Sequence, residues 1–336
     1  MENVGQTSNR GVELSLTGYI MDRPDFTLNA TFNIGRNKNK IDKLARGEKE
    51  MVLSSGWAGS QLLNSDDYRA YVGGTTGLIY GFVNDGFYTV DDFKPFDSKS
   101  RTWTLKDGVV NSSPLSGDPR PGNAKFKKLT PVDENSANPY TLTDDDRTVI
   151  GNTTPKFSGG FGLNATFKGF DVSAFFNFMY DFDVFNANKV MMTTWASNNY
   201  NNFSMDISAA KRWRNFDDMG NEIRYSPEIL AEFNKNATMW NPTSIGRPIA
   251  MSYAVEDGSF LRLNTATIGY TLPRAWTNKV GLSRVRFYAS GYNLFTITGY
   301  SGYDPEVDIA TGLTPNIDNN RYPRSRTYTF GVQLTF

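Results

Sequence analysis

Regular alternation of apolar and polar residues is the clearest pattern in the chain. From Phe26 to Ile34 every even-numbered residue is apolar and every odd-numbered one is Thr or Asn. Residues 12–20 alternate in a similar way, and the short polar turn Met21–Pro24 separates the two segments. A period of two is that of a β-strand with unlike faces, so the pattern predicts a β-hairpin of two long strands.

The same pattern predicts further strands along the chain. Residues 157–167 and 170–178 alternate on either side of Lys168-Gly169, where Gly169 supplies the positive φ that a two-residue turn requires. More strands are predicted at Ser259–Leu272, Arg284–Phe295, Arg326–Phe336, Leu78–Val90 and Arg101–Val109. We expect roughly eight to ten strands, many about ten residues long, which is the length a tilted strand needs to cross a bilayer.

The predicted connections between strands are of very unequal length. Three are long and rich in Asn, Asp, Gly, Ser and Pro: Asn37–Gly77, Ser112–Pro155 and Phe182–Arg247. Such long loops are uncommon in compact soluble domains, whereas short turns on one rim and long loops on the other are typical of outer-membrane barrels. Within the third connection, Ser226-Pro227-Glu228 predicts the capped start of a short helix.

The chain ends in its sharpest alternation, which favours a membrane barrel. A soluble protein that ended in such a strand would expose an apolar stripe unless another sheet covered it, whereas in a barrel the stripe faces lipid. We therefore predict an all-β fold, an antiparallel transmembrane β-barrel with short periplasmic turns and long extracellular loops. The apolar residues of this barrel-terminal strand are Tyr328, Phe330, Val332, Leu334 and Phe336.

Composition argues against several classes of protein. Lys and Arg together number 35, and Asp and Glu together also number 35. The chain therefore lacks the excess of basic residues that displaces counterions from nucleic acid. The chain has no Cys and no His. Thiol nucleophiles and disulfides are therefore impossible, and the commonest general base and transition-metal ligand is missing. We predict that the chain is not an enzyme and uses no metal or cofactor.

Neither a signal peptide nor a membrane helix is recognisable in the sequence. The first residues lack a basic start and an apolar core, and no segment approaches the ~18 apolar residues of a membrane helix. Two interpretations fit the strand pattern. One is an outer-membrane barrel whose export signal lies outside the chain. The other is a self-contained small outer-membrane barrel or a surface β-sandwich that binds without transporting.

Short motifs, occurring in a fixed order along nearly the whole chain, resemble those of the SusC/RagA group of TonB-dependent outer-membrane transporters. They are Asn9–Leu16, Ile79–Tyr88, Asp146–Asn152 running on to Phe157, Val255–Leu263, Ile268–Pro273, Gly291–Phe295, Tyr300–Val307 and Tyr322–Gly331.

The resemblance carries expectations about the whole protein. It implies a barrel of about 22 strands of which residues 1–336 form the C-terminal portion, without plug domain or signal peptide. It also implies import of glycans or peptides across the outer membrane of a Gram-negative bacterium. The implied partners are a SusD-like surface lipoprotein, the oligosaccharide or peptide cargo, outer-membrane lipid, and TonB, which would act through a plug region outside this chain. No nucleic-acid partner is expected.

Aromatic residues in or beside the long connections are the candidate contacts for substrate or partner, because rings stack on sugar faces and pack against proteins. These candidates are Trp57, Tyr68, Trp195, Tyr200, Trp213 and Trp240. Packing within the loops, or an interfacial aromatic belt, is the structural alternative. Four residues near strand ends are predicted to belong to such a belt: Phe157, Phe167, Phe170 and Phe178.

Charged residues in or beside strands are expected to face the barrel lumen, because a charge facing lipid at mid-depth costs about 2–4 kcal/mol. We predict that they pair with carboxylates there. These residues are Arg10, Arg262, Arg284 and Arg286. Two groups of acidic residues are predicted to lie in solvated loops. The first group is Asp304, Glu306 and Asp308, and the second is Asp144–Asp146. We favour solvated loops over a carboxylate pair for glycoside hydrolysis or a calcium site.

Overall fold

A computed structural model describes residues 5–64, 66–194, 202–307 and 312–336. The β-strands in these ranges are β1 (Gly5–Arg23), β2 (Phe26–Leu44), β3 (Glu50–Leu53), β4 (Tyr68–Tyr71), β5 (Leu78–Gly81), β6 (Asn84–Phe87), β7 (Ala124–Phe126), β8 (Thr148–Asn152), β9 (Phe157–Phe167), β10 (Phe170–Tyr180), β11 (Asp183–Asn186), β12 (Val255–Asp257), β13 (Phe260–Thr271), β14 (Arg284–Thr298), β15 (Ile317–Asp318) and β16 (Thr327–Thr335). The α-helices are α1 (Ser113–Ser116), α2 (Ala187–Met191), α3 (Pro227–Phe233) and α4 (Arg274–Thr277). Of the helices in these ranges, none is both long and apolar enough to cross a bilayer.

Seven long strands form one antiparallel sheet, which we call the wall. Its strand order is β1-β2-β9-β10-β13-β14-β16. The all-β antiparallel prediction is confirmed. Within the described residues β1 pairs only with β2 and β16 only with β14, so the wall is an open sheet with two edges. The predicted number of strands was too low, because the short strands between the wall strands show no regular alternation in the sequence.

Strand register aligns the apolar residues of the wall on one face. One continuous row crosses six strands: Leu16, Phe32, Phe161, Phe176, Leu263 and Phe295. Along β2 the apolar positions run from Phe26 to Ile34, a length of about 26 Å at about 3.3 Å per residue. This matches the apolar band of outer-membrane barrels, which is ~25 Å tall.

An aromatic row closes the apolar face at the end where the short turns lie. Successive partners across five strands are Phe26, Phe167, Phe170, Tyr270 and Phe287. Phe26 and Phe167 meet edge to face with ring centroids 6.3 Å apart, and Phe170 contacts Tyr270 at 4.5 Å. Phe167 and Phe170 therefore occupy the position predicted for an interfacial belt, because aromatic rings favour the membrane–water boundary.

The apolar face of the wall is open. Val12 on β1 is 77% exposed and Phe330 on β16 is 79% exposed. No second sheet of the described residues pairs with or covers this face, so the β-sandwich alternative is not supported. A soluble monomer rarely exposes an apolar patch of more than a few hundred Å², so this face suits contact with hydrocarbon.

The opposite face of the wall is polar. The Thr27 and Thr166 hydroxyls lie 2.5 Å apart across β2 and β9. Arg286 on β14 reaches over β13 to Asp171 on β10, and its Nε donates to Oδ1 at 2.8 Å. Gly269 makes this crossing possible, because a Cβ at that position would lie 2.5 Å from the guanidinium. The predicted pairing with a carboxylate is thus confirmed for Arg286, on the polar face of the wall.

The hairpin turns largely follow the sequence pattern. Lys168 and Gly169 both have positive φ, 45° and 90°, as a tight type I′ turn requires. The first hairpin turns two residues later than predicted, because Arg23 still pairs with Phe26. The predicted helix is present as α3, although the Ser226 side chain makes no capping hydrogen bond.

The three long connections differ most from their prediction. Residues 37–44, expected to be loop, continue β2 because they pair with β1 up to Gly5. Residues 101–109, expected to be a strand, form only isolated bridges at Thr102 and Leu105. The residues within and next to these connections form small sheets, β3-β4-β5-β8, β12-β11-β15 and β6-β7. The connections are folded structures rather than plain loops.

Candidate functional site

All three long connections lie at the same rim of the wall, opposite the turns at Pro24–Asp25 and Lys168–Gly169. We call the described parts of residues 45–156, 181–259 and 299–326 the cap. Its main core includes Ile79, Phe126, Phe185, Trp240 and Met251, all buried. The predicted contrast between short turns on one rim and long connections on the other is therefore confirmed.

Three of the aromatic candidates are buried inside the cap. The Tyr68 hydroxyl donates to the Pro315 carbonyl, and Trp240 Nε1 donates to the Thr193 carbonyl at 3.3 Å. Trp213 packs against Phe87 with ring centroids 5.7 Å apart. Tyr68 and Trp240 are therefore core residues with paired polar atoms, whereas Trp213 belongs to a separate buried cluster and lines a cavity of the cap.

The other three candidates are placed differently. Trp57 is half-buried and packs against Phe185 at a centroid distance of 5.5 Å. Trp195 and Tyr200 lie outside the described residues. The contact role of all six residues stays a prediction, and the structure brings them together only in so far as Trp57, Tyr68 and Trp240 share the main core of the cap.

Two exposed tyrosines in the cap were not among the candidates. Tyr303 is 87% exposed and Tyr322 is 91% exposed. They line a cavity of about 640 Å³ together with Lys189, Asp206 and Asn320. A sequence signal did exist, because both residues fall in segments that carry the SusC/RagA resemblance, but their exposure depends on chain folding that those segments do not reveal.

A buried ion-pair cluster joins the cap to the wall. Arg262, at the start of β13, is 2% exposed, and its Nη2 lies 2.5 Å from Asp304 Oδ1. Its Nε lies 3.2 Å from Glu306 Oε2, and Arg324 approaches the same carboxylate at 3.2 Å. Burial alone would raise the pKa of Asp304, but hydrogen bonds from Arg262 and from the backbone of Glu306 and Arg324 hold it below its ordinary value.

The expectation of a solvated loop was thus wrong for Asp304 and Glu306. The reason is that Arg262, itself buried, attracts both carboxylates onto the rim of the wall. Asp308, the third residue of that group, lies outside the described residues. No open face remains for a catalytic pair at Asp304 and Glu306, because Arg262 and Arg324 engage both carboxylates.

Asp146 is a second buried carboxylate, and the solvated-loop prediction was wrong for it too. Its oxygens accept hydrogen bonds from the backbone of Leu129, Thr130 and Thr143 at 2.8–2.9 Å, and Lys128 lies 3.4 Å away. Burial by itself raises the pKa of the carboxyl, but the hydrogen bonds, the strongest from Thr130, outweigh it and lower the pKa to about 2. Asp144 and Asp145 remain exposed, as predicted.

Asp146→Asn is expected to remove a pH-dependent part of the stability of the cap. Because the folded pKa lies below the unfolded value of 3.8, ionised Asp146 contributes stability that is complete above about pH 5 and is lost as pH falls through about 2. The shift corresponds to about 2 kcal/mol.

Unfolding measured at successive pH values through that window checks this prediction. The Asp146→Asn protein should lose less stability on acidification than the parent. Asp145→Asn, a change at the exposed neighbour, should follow the parent curve. If the Asp146→Asn protein loses as much stability on acidification as the parent, other groups cause that loss.

The wall and the cap define a class of protein: a β-barrel wall of the outer-membrane type, with apolar outer face, polar inner face and large folded connections on one rim. No family model matches the chain. Over 342 residues it is 30% identical to the TonB-dependent receptor P3 of Formosa agariphila, and the match covers 100% of the chain. It is also 24% identical over 342 residues to the TonB-dependent receptor SusC of Bacteroides thetaiotaomicron, again across 100% of the chain.

A solved structure shows the same fold. The chain superimposes on the RagAB peptide importer in its closed-closed state with a TM-score of 0.67 at 24% identity, covering 100% of this chain and 30% of that one. The chain is therefore similar along its whole length to part of TonB-dependent receptors of the SusC/RagA kind, and it shares the fold of part of the RagAB importer. It spans 29% and 27% of the length of the two relatives named above.

Proposed function

We propose that this chain is the C-terminal portion of a nutrient importer in the outer membrane of a Gram-negative bacterium. The open wall, with an apolar outer face and two unpaired edges, supports this proposal because an edge exposed to lipid must pair with further strands. In the complete barrel of about 22 strands, a plug region outside this chain would receive energy from TonB. Similarity to part of TonB-dependent receptors along the whole of this chain is the observation that carries the proposal.

The cargo is proposed to be an oligosaccharide or a peptide, delivered by a SusD-like surface lipoprotein. The RagAB neighbour is a peptide importer; for this chain, cargo and partner are inferences from relatedness. Uptake of labelled oligosaccharides and peptides by cells with and without the receptor gene tests the proposal. Uptake that is lost with the gene and with TonB supports it, and uptake independent of TonB contradicts it.

The lipoprotein is proposed to sit on the cap, over the segments Asn37–Gly77 and Phe182–Arg247. Deleting these segments would be a poor test, because Val184, Ile207 and Trp240 are core residues. A point change on their surface is better. Met219 is 90% exposed and lies at the Asp217–Gly220 turn of the second segment. Exposed methionine suits a protein interface because it is apolar and adaptable.

Met219→Asp should reduce co-purification of the lipoprotein by about tenfold, equivalent to ~1.4 kcal/mol of binding energy. The matched control is Trp276→Asp, an exposed apolar residue in α4 at the opposite rim, which should leave recovery unchanged. The amount of folded receptor, measured by heat-modifiable migration, normalises both. If Met219→Asp retains full recovery, the lipoprotein does not rest on that turn.

A further inference from the structure

A cavity of about 730 Å³ opens in the cap with a basic lining. The cavity is lined by three basic residues, Arg101, Arg120 and Arg224, and by one acidic residue, Asp118. This local excess of positive charge stands out because the chain as a whole has 35 basic and 35 acidic residues. Guanidinium groups stay charged at every physiological pH, so the excess cannot be removed by titration.

Two of the three guanidinium groups have no acidic partner. Among the described residues neither Arg101 nor Arg120 forms a salt bridge, with Asp118 or with any other carboxylate. Arg101 instead lies over the ring of Tyr225, 5.2 Å from its centroid. Arg224 differs, because it pairs with Glu222. Arg101 and Arg120 are thus cations at the mouth of a cavity, ready to meet an anion from outside the protein.

Aromatic and polar residues line the cavity beside these cations. Trp103 and Tyr225 line the cavity, and Phe96 behind them fixes both rings, with centroids 4.8 and 6.1 Å away. The side chains of Asn215 and Asn241 add amide groups to the lining. Planar guanidinium forks match carboxylate and sulfate oxygens, and the amides offer donors for hydroxyl groups.

The basic lining continues into a neighbouring cavity of about 590 Å³, which shares Asn215, Arg224, Asn241 and Thr243 with the first. This second cavity adds Arg212, Arg214 and the acidic Asp217 to the lining, and Arg214 pairs with Asp218. A ligand with several repeating units would fit such a continuous track better than a single small anion. No residue lining the first cavity belongs to β1–β16, so no strand edge is available to pair with an extended peptide.

We propose that this double cavity binds an acidic oligosaccharide, with Arg101 and Arg120 holding its carboxylate or sulfate groups and Asn215 and Asn241 hydrogen-bonding its hydroxyl groups. The role of such a ligand as cargo rests on the proposed import function, whereas its binding does not. Binding should weaken as salt rises, because screening acts on exposed charges.

The test is calorimetric titration of the purified receptor in detergent with four probes. They are tetragalacturonate, which carries carboxylates, a sulfated carrageenan tetrasaccharide, the neutral maltotetraose, and tetraglutamate as an acidic peptide. We expect at least one acidic oligosaccharide to bind, maltotetraose to bind at least tenfold more weakly, and the double variant Arg101→Gln/Arg120→Gln to weaken acidic binding at least tenfold. Which acidic sugar binds distinguishes carboxylate from sulfate recognition.

The matched control is Arg274→Gln in α4, an exposed arginine at the opposite rim, which should bind as the parent does. Equal binding of neutral and acidic sugars, unchanged binding by the double variant, or preference for tetraglutamate would each overturn the proposal. Failure of uptake with binding intact would contradict the import function alone. Uptake that continues without any acidic-sugar binding would contradict this inference alone.

Discussion

Leu163→Arg should prevent stable assembly of the wall, while Asn164→Arg, one residue further along β9, should be tolerated. Leu163 lies in the middle of the apolar band, between Ala30 on β2 and Ala174 on β10, and its side chain is exposed. An arginine facing hydrocarbon at the midplane costs about 2–4 kcal/mol, a large share of the 5–15 kcal/mol that typically separates folded from unfolded protein. Asn164 faces the other side of the sheet and hydrogen-bonds Asn29.

The comparison should be made on the protein in its outer membrane and on purified protein refolded into lipid vesicles. Heat-modifiable migration reports the folded fraction, and urea titration reports the free energy of unfolding. Asn164→Arg should cost no more than about 1 kcal/mol, the value of the hydrogen bond it removes. Equal losses from the two substitutions would mean that the apolar face of the wall does not face lipid.

The wall could be predicted from sequence because its pattern is local. Neighbouring residues of a wall strand meet hydrocarbon and water alternately, so each strand carries its own signal. What the pattern could not supply is the pairing of strands far apart in sequence, such as Phe26 of β2 with Phe167 of β9. Nor could it mark the end of β2, whose last residues, 37–44, are mostly polar yet remain paired with β1.

The cap was much less predictable, because its cores and ion pairs depend on distant contacts. Asp304 and its partner Arg262 are 42 residues apart, and a run of acidic residues gives no local sign that one of them is buried. The surroundings of the aromatic candidates were hard to predict for a related reason. A Trp in an Asn- and Gly-rich segment has the same local sequence whether it lines a surface or, like Trp240, fills a core.

Arg262→Met is expected to have the largest effect of any single change proposed here. Met fills much of the volume of the arginine stem but carries no charge, so Asp304 and Glu306 would remain buried without their main partner. Removing one member of a buried ion pair costs about 3–5 kcal/mol. Arg324→Met removes a partner whose side chain is 43% exposed, so its cost should stay below about 1 kcal/mol.

Neutralising the stranded carboxylates should restore stability if charge is the cause. In the Arg262→Met background, the added changes Asp304→Asn and Glu306→Gln should recover most of the loss, because a buried neutral amide is far cheaper than a buried unpaired carboxylate. Thermal unfolding measures the overall effect, and limited proteolysis between residues 299 and 326 reports release of the cap from the wall. Persistence of the full loss in the triple variant would show that the arginine acts through packing. A harmless Arg262→Met would show that the cluster does not fasten this segment, because then neither the buried charges nor their contacts hold the cap in place.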